Sequence, residues 1–195
     1  MKRYSMMTNN RYHFSELLQD SPVIAAVKND EGLEKALASD CAAIFLLYGT
    51  ILNIASLVEH AKQGDKLVFV HTDLIEGLTG KDISVDFIAQ NTRADGIIST
   101  RINLIRHAKD LGLITIQRFF LLDSLSFENV RKQSSYADAV DILPGTMPRV
   151  TARLSQKIRQ PIIASGLIVD KQDIMSALSA GALAVSTTSE SLWFV

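Results

Sequence analysis

The side chains that could do chemistry gather where apolar runs end. His71, Asp73 and Glu76 follow the run LVFV within the octet HTDLIEGL (His71–Leu78), Arg118 closes the run ITIQR, Gly145 follows DILP, and Ser165–Gly166 and Ser186–Thr187 end two further runs. A histidine with two carboxylates at a strand end suits acid–base work on a small substrate, or hydrogen bonds to its hydroxyls. The same three residues also read as a capped turn beside a satisfied histidine. Arg118 could clamp a phosphate or carboxylate through its planar guanidinium, or simply close an ion pair with Asp123.

The stretch Pro161–Ser189 reads as strand, glycine turn, helix, strand and a turn of small hydroxyl residues. Both strand ends deliver small residues to one side, so backbone N–H groups can converge on an anion there, with Gly166 letting it approach. A side chain at Gly166 would then occupy the anion's approach. The alternative is an ordinary βαβ unit whose glycines only close turns.

Other chemistries find little support. None of the four histidines has a second one at ligand spacing from His71, so no metal is expected. There is no GxxxxGK[ST], no GxGxxG and no nucleophile elbow, and no cofactor is called for. Lys28 is the one lysine at a strand end, where an ion pair is as natural as a Schiff base.

These residues need elements to hold them. Short apolar runs predict strands over Val23–Val27, Ala43–Leu47, Leu67–His71, Gly96–Ser99, Ile114–Arg118, Ala139–Leu143, Ile162–Ala164 and Leu183–Ser186. Amphipathic segments predict helices over Glu31–Ser39, Ile51–Lys62, Ser84–Asn91, Ile102–Leu111, Ser126–Ser134, Pro148–Ile158 and Asp170–Ala180, with Gly64 and Gly112 closing two of them. Residues 1–11 are polar and without period, a flexible tail. Residues 12–20 put Phe14, Leu17 and Leu18 on one side of a short helix suited to plugging the bottom of a barrel. The eight-unit rhythm predicts one short (β/α)8 barrel of TIM type over residues 12–195, with an open doubly wound sheet as the alternative. Only Glu190–Val195 remains for a closing helix, which must be stunted.

The 195 residues, 47% hydrophobic and 21% charged, fit one well-cored soluble domain, and the single cysteine, Cys41, rules out an internal disulfide. No secretory leader or membrane-length apolar run is present, so a cytoplasmic protein is expected. A net charge of -1 gives no global attraction for nucleic acid, so any nucleic-acid partner would have to meet a local patch. Two stretches qualify: Arg149, Arg153 and Lys157, spaced by four on the helix after the sixth strand, and Arg101, Arg106, His107 and Lys109 near the helix after the fourth. Such faces also occur as plain solvated charge, and neither stretch carries an aromatic residue for stacking on bases.

Six segments together resemble the glycerol uptake operon antiterminator family: HTDLIEGL, ADGIISTR (Ala94–Arg101), TIQRFFLLDS (Thr115–Ser124), DILPGTMP (Asp141–Pro148), IIASGLI (Ile162–Ile168) and ALAVSTTS (Ala182–Ser189). The resemblance spans about Ser21 to Trp193. It implies a barrel-shaped regulator, not an enzyme, that binds glycerol 3-phosphate and acts on leader mRNA of glycerol-utilisation genes, preventing a terminator from forming. It leaves room for a homo-oligomer. Under it, Ser165, Gly166, Ser186 and Thr187 would hold the phosphate, with Gly145 beside them and His71, Asp73, Glu76 and Arg118 near the hydroxyls or phosphate. The segment Leu74–Lys81, with Gly77 and Gly80, would order over the ligand. One departure is Ser165 where a Gly-Gly pair is expected after the seventh strand; the other is the short C-terminal end. The competing reading is a barrel enzyme of isomerase or lyase type acting on a small phosphorylated metabolite, and a third is a metabolite-binding protein without an RNA role.

Overall fold

The computed structural model describes residues 14–195. The tail expected over residues 1–11, and the first two residues of the N-terminal helix, lie outside the described residues. Eight parallel strands close into a barrel in chain order: β1 (Val23–Val27), β2 (Ala43–Leu46), β3 (Leu67–His71), β4 (Gly96–Ser99), β5 (Ile114–Phe120), β6 (Ala139–Leu143), β7 (Ile162–Ser165) and β8 (Ala184–Thr187). Pairing of Ile24 on β1 with Ser186 on β8 completes the ring and excludes the open sheet. Helix α1 covers residues 14–20. The outer ring is α2 (Asp30–Ala38), α3 (Ile54–Ala61), α4 (Asp82–Asn91), α5 (Ile102–Asp110), α6 (Ser124–Gln133), α7 (Pro148–Ser155) and α8 (Lys171–Ser179).

The strands are apolar on both faces because both are covered. Ile24, Phe45, Phe69, Ile98, Ile116 and Ile163 point inward and form one core with Phe14 and Leu18 of α1. The Phe14 and Phe69 rings lie 5.4 Å apart, so α1 stoppers the lower end of the barrel. Val27, Ile44, Leu46, Val70, Ile97 and Val140 face outward to the helices and build the second core. Gly96 is required where β4 meets β5: a Cβ there would stand 2.1 Å from the Ile114 carbonyl oxygen.

Local chemistry sets the helix ends. Asn29, Asp123 and Asp170 accept backbone N–H bonds at the N-termini of α2, α6 and α8. Gly112 and Gly181 end α5 and α8 with φ of 89° and 97°. Several bounds differ from expectation. The segment expected as helix from Ile51 begins at Ile54, because residues 51–53 turn. Its stop is the left-handed Asp65 (φ 57°), not Gly64. Strand β5 runs two residues beyond Arg118, and α7 ends at Ser155, three residues short. The stunted closing helix is a 3-10 segment, Glu190–Phe194, anchored by the Trp193 indole N–H donating to the Thr187 carbonyl at 2.9 Å and by the Lys35–Glu190 ion pair. Cys41 is buried, its thiol donating to the Trp193 carbonyl at 3.6 Å.

Candidate functional site

The period-2 alternation of the strands sends Arg118, Asp141, Ser165 and Ser186 into the barrel near its C-terminal mouth. The Arg118 Nε donates to Asp141 Oδ2 at 2.5 Å, and Asp141 has no exposed surface. The Ser165 hydroxyl donates to Asp141 Oδ1 and lies 2.6 Å from the Ser186 hydroxyl. One buried carboxylate thus orients a guanidinium and a pair of hydroxyls. Arg118 pairs with Asp141, whereas Asp123, the ion-pair partner considered as one alternative from the sequence, caps α6.

Above this layer lies a cavity of about 300 Å³ lined by Arg118, Leu143, Ser165, Gly166, Leu167, Ser186 and Thr188, among others. Its rim is the β7–α8 turn. There Gly166 and Leu167 both take positive φ, 75° and 61°, and Leu167 is unusual in doing so as a non-glycine residue. Among the described residues the N–H groups of Gly166, Leu167 and Thr188 meet no protein acceptor. The turn is tied down because Thr187 Oγ1 and Ser189 Oγ donate to the Ile168 carbonyl at 2.7 and 3.3 Å. A guanidinium, hydroxyls and unpaired N–H groups around one small hollow suit a phosphoester.

His71 enters the interior from β3, buried, with Nδ1 unpartnered. Burial first, and the Arg118 charge second, hold its pKa down at about 4, so its ring is neutral near pH 7.

Other expected site residues sit elsewhere or serve the frame. Asp73 accepts from the hydroxyls of Ser99 and Thr100 and the Thr100 N–H at 2.7–2.8 Å, locking the loops after β3 and β4 together. Glu76 has an exposed side chain, and its backbone pairs with the β2–α3 loop through Gly49 and Ile51. That pairing, with Asn103 donating to the Gly80 carbonyl, fixes the segment Leu74–Lys81 away from the cavity lining. Gly145 donates to the Gly166 carbonyl at 3.0 Å, and a Cβ on it would meet the Ser165 nitrogen at 2.8 Å, so it lets β6 and β7 approach. A Cβ on Gly166, whose φ is 75°, would meet the side chain of Leu143 at 3.2 Å, and Leu143 itself lines the cavity. Asp141 and Leu167 are what sequence reasoning missed; the alternation of β6 marks Asp141 as an inward charge.

A model of glycerol-3-phosphate responsive antiterminators matches residues 23–193. The chain belongs to that family. It is 44% identical over 179 residues to "Uncharacterized protein YgcP" of Escherichia coli (strain K12), covering 91% of this chain and 94% of that protein. The crystal structure of a glycerol uptake operon antiterminator regulatory protein from Listeria monocytogenes is similar at 34% identity and TM-score 0.83, covering 88% of this chain and 94% of that one. A glycerol uptake operon antiterminator-related protein from Thermotoga maritima gives 30% and 0.79, covering 89% and 98%. The family is one of regulators, not of enzymes. A deoxyribose phosphate aldolase from Aeropyrum pernix, 15% identical with TM-score 0.69, shares the fold alone. Among the described residues no helix is long and apolar enough to cross a membrane, and no cluster of histidine, cysteine and carboxylates could hold a metal ion.

Proposed function

We propose that this protein is a cytoplasmic regulator that binds glycerol 3-phosphate at the barrel mouth and, when loaded, binds leader mRNA of glycerol-utilisation genes and prevents a terminator from forming. The observation that carries the reading is that one cavity is lined by Arg118 together with Gly166, Leu167 and Thr188, whose N–H groups meet no protein acceptor among the described residues. The phosphate takes those N–H groups and the guanidinium; the glycerol hydroxyls reach down toward Ser165, Ser186 and His71. Asp73, Gly145 and Thr187 support the loops that form the rim, and Glu76 has no part in the contact.

The ligand acts by linkage: it binds the RNA-competent state better than the incompetent one and shifts the population by that difference. Single-round transcription through a leader with its terminator tests this. Read-through should rise when protein and glycerol 3-phosphate are both present and stay low with glycerol in its place. Read-through indifferent to the phosphoester overturns the reading.

A further inference from the structure

Several surface cations are neutralised. Lys35, Lys62, Arg93 and Arg101 each sit against a carboxylate. The sector formed by α5, α6 and α7 gathers several that are not: Arg106, Lys132, Arg153 and Lys157 have no carboxylate partner among the described residues. Two of them are stacked instead. Arg106 lies over the Tyr136 ring at 3.8 Å, and Arg153 over the Phe127 ring at 5.1 Å. These aromatic residues come from α6 and the turn directly after it: neither basic stretch carries a ring of its own, as expected, and the fold brings the rings to them.

Phe127 and Arg153 also sit in two adjoining hollows between α6 and α7, of about 520 and 230 Å³. The lower hollow is ringed by Arg131, Arg153 and Lys157, with Glu128 held by Arg131 at 2.8 Å. Arg149 does not line either hollow. A guanidinium over a ring offers a base a surface to stack on, and unpaired cations alongside suit a phosphate backbone.

We propose that a single strand of RNA crosses the outside of the barrel over α6, its bases stacking at the Arg106–Tyr136 and Arg153–Phe127 pairs and its phosphates following Lys132 and Lys157. This rests on the reading above that the protein acts on RNA. The upper hollow is walled by Leu121, Leu122 and Met147, from the loops that follow Arg118 and Asp141, and the Leu121 N–H donates to the Leu143 carbonyl at 2.7 Å. Leu143 lines the ligand cavity, so the strand's path shares its supporting loops with the ligand.

The test selects binders from a randomised, fluorescently labelled RNA pool about 25 nucleotides long on the wild-type protein in saturating glycerol 3-phosphate. Anisotropy is then followed against salt. The paired change Lys132→Gln with Lys157→Gln should weaken binding on the order of tenfold and lower the slope of log affinity against log salt by about 1.4. Phe127→Leu or Tyr136→Leu should each weaken binding about tenfold with the salt slope unchanged, because a stacking contact carries no counterion. Melting temperature and ligand titration check that each variant is folded. If the wild type selects binders and all these variants hold them equally well, the proposed path is wrong while the regulatory reading stands. If no RNA is selected at all, the regulatory reading fails and takes the path with it. Displacement of the RNA by polyglutamate at equal charge concentration would also overturn the proposal, reducing the sector to a polyanion patch.

Discussion

Replacing Asp141 by asparagine removes one charge from the centre of the barrel and leaves the rest of the polar layer in place. Asp141 is fully buried and Arg118 is 8% exposed, so the guanidinium loses its counter-charge where water reaches it poorly. Breaking one side of a buried pair costs about 3–5 kcal/mol, a large share of the roughly 5–15 kcal/mol that holds a domain together. The asparagine oxygen can keep either the Arg118 or the Ser165 bond, not both, and Ser165 can fall back on Ser186 at 2.6 Å. The loss should therefore come mainly from Arg118. Urea unfolding at pH 7 should show the midpoint falling by on the order of 2 M. Arg118→Met combined with Asp141→Leu removes both charges and should recover most of that loss. A D141N loss below about 1 kcal/mol, or a double variant that falls by the sum of the singles, would refute the view that this pair is a buried, mutually dependent unit.

Three further outcomes follow from other positions. His71 refuses a proton until about pH 4, whereas the unfolded chain takes it near 6.5. Its contribution is complete above pH 6.5, declines as pH falls toward 4 and is level below that, worth up to about 3 kcal/mol. Unfolding free energies of wild type and His71→Gln should converge across that window, and parallel curves would contradict the burial argument. Gly96→Ala should cost at least about 3 kcal/mol or abolish soluble expression, since the Ile114 backbone stands 2.1 Å from the new Cβ; an unchanged melting temperature would contradict it. Leu167→Gly relieves a left-handed leucine at φ 61° that is 70% exposed, so thermal unfolding should show a gain of up to about 1 kcal/mol, and a clear loss would mean the side chain has a packing role.

The fold was legible because each strand is an apolar run closed by polar or glycine residues, a local signal that survives without tertiary information. Where the pattern blurs, the reading slipped: Phe119 and Phe120 carry β5 past Arg118, and residues 51–53 turn before α3 begins. The site was legible only as a set of strand ends. That Arg118 belongs with Asp141, 23 residues away, depends on their facing positions across β5 and β6. Asp123 is nearer in sequence, but its carboxylate is taken by the Ser126 N–H at the start of α6. The segment Leu74–Lys81 looked free because Gly77 and Gly80 suggest mobility; its ties to Gly49, Ile51 and Asn103 come from elements that sequence order keeps apart. The cation–ring stacks escaped for the same reason, each joining residues of two elements.

The central claim is that the hollow bounded by Arg118, Gly166 and Ser186 receives glycerol 3-phosphate. Isothermal titration of the purified protein with that phosphoester, with glycerol and inorganic phosphate as controls, tests it most directly. Saturable binding of the phosphoester, much weaker binding of either control, loss of binding in Arg118→Met and recovery of the ligand unchanged are the results the account predicts. Absence of binding, or steady conversion of the ligand, would contradict it.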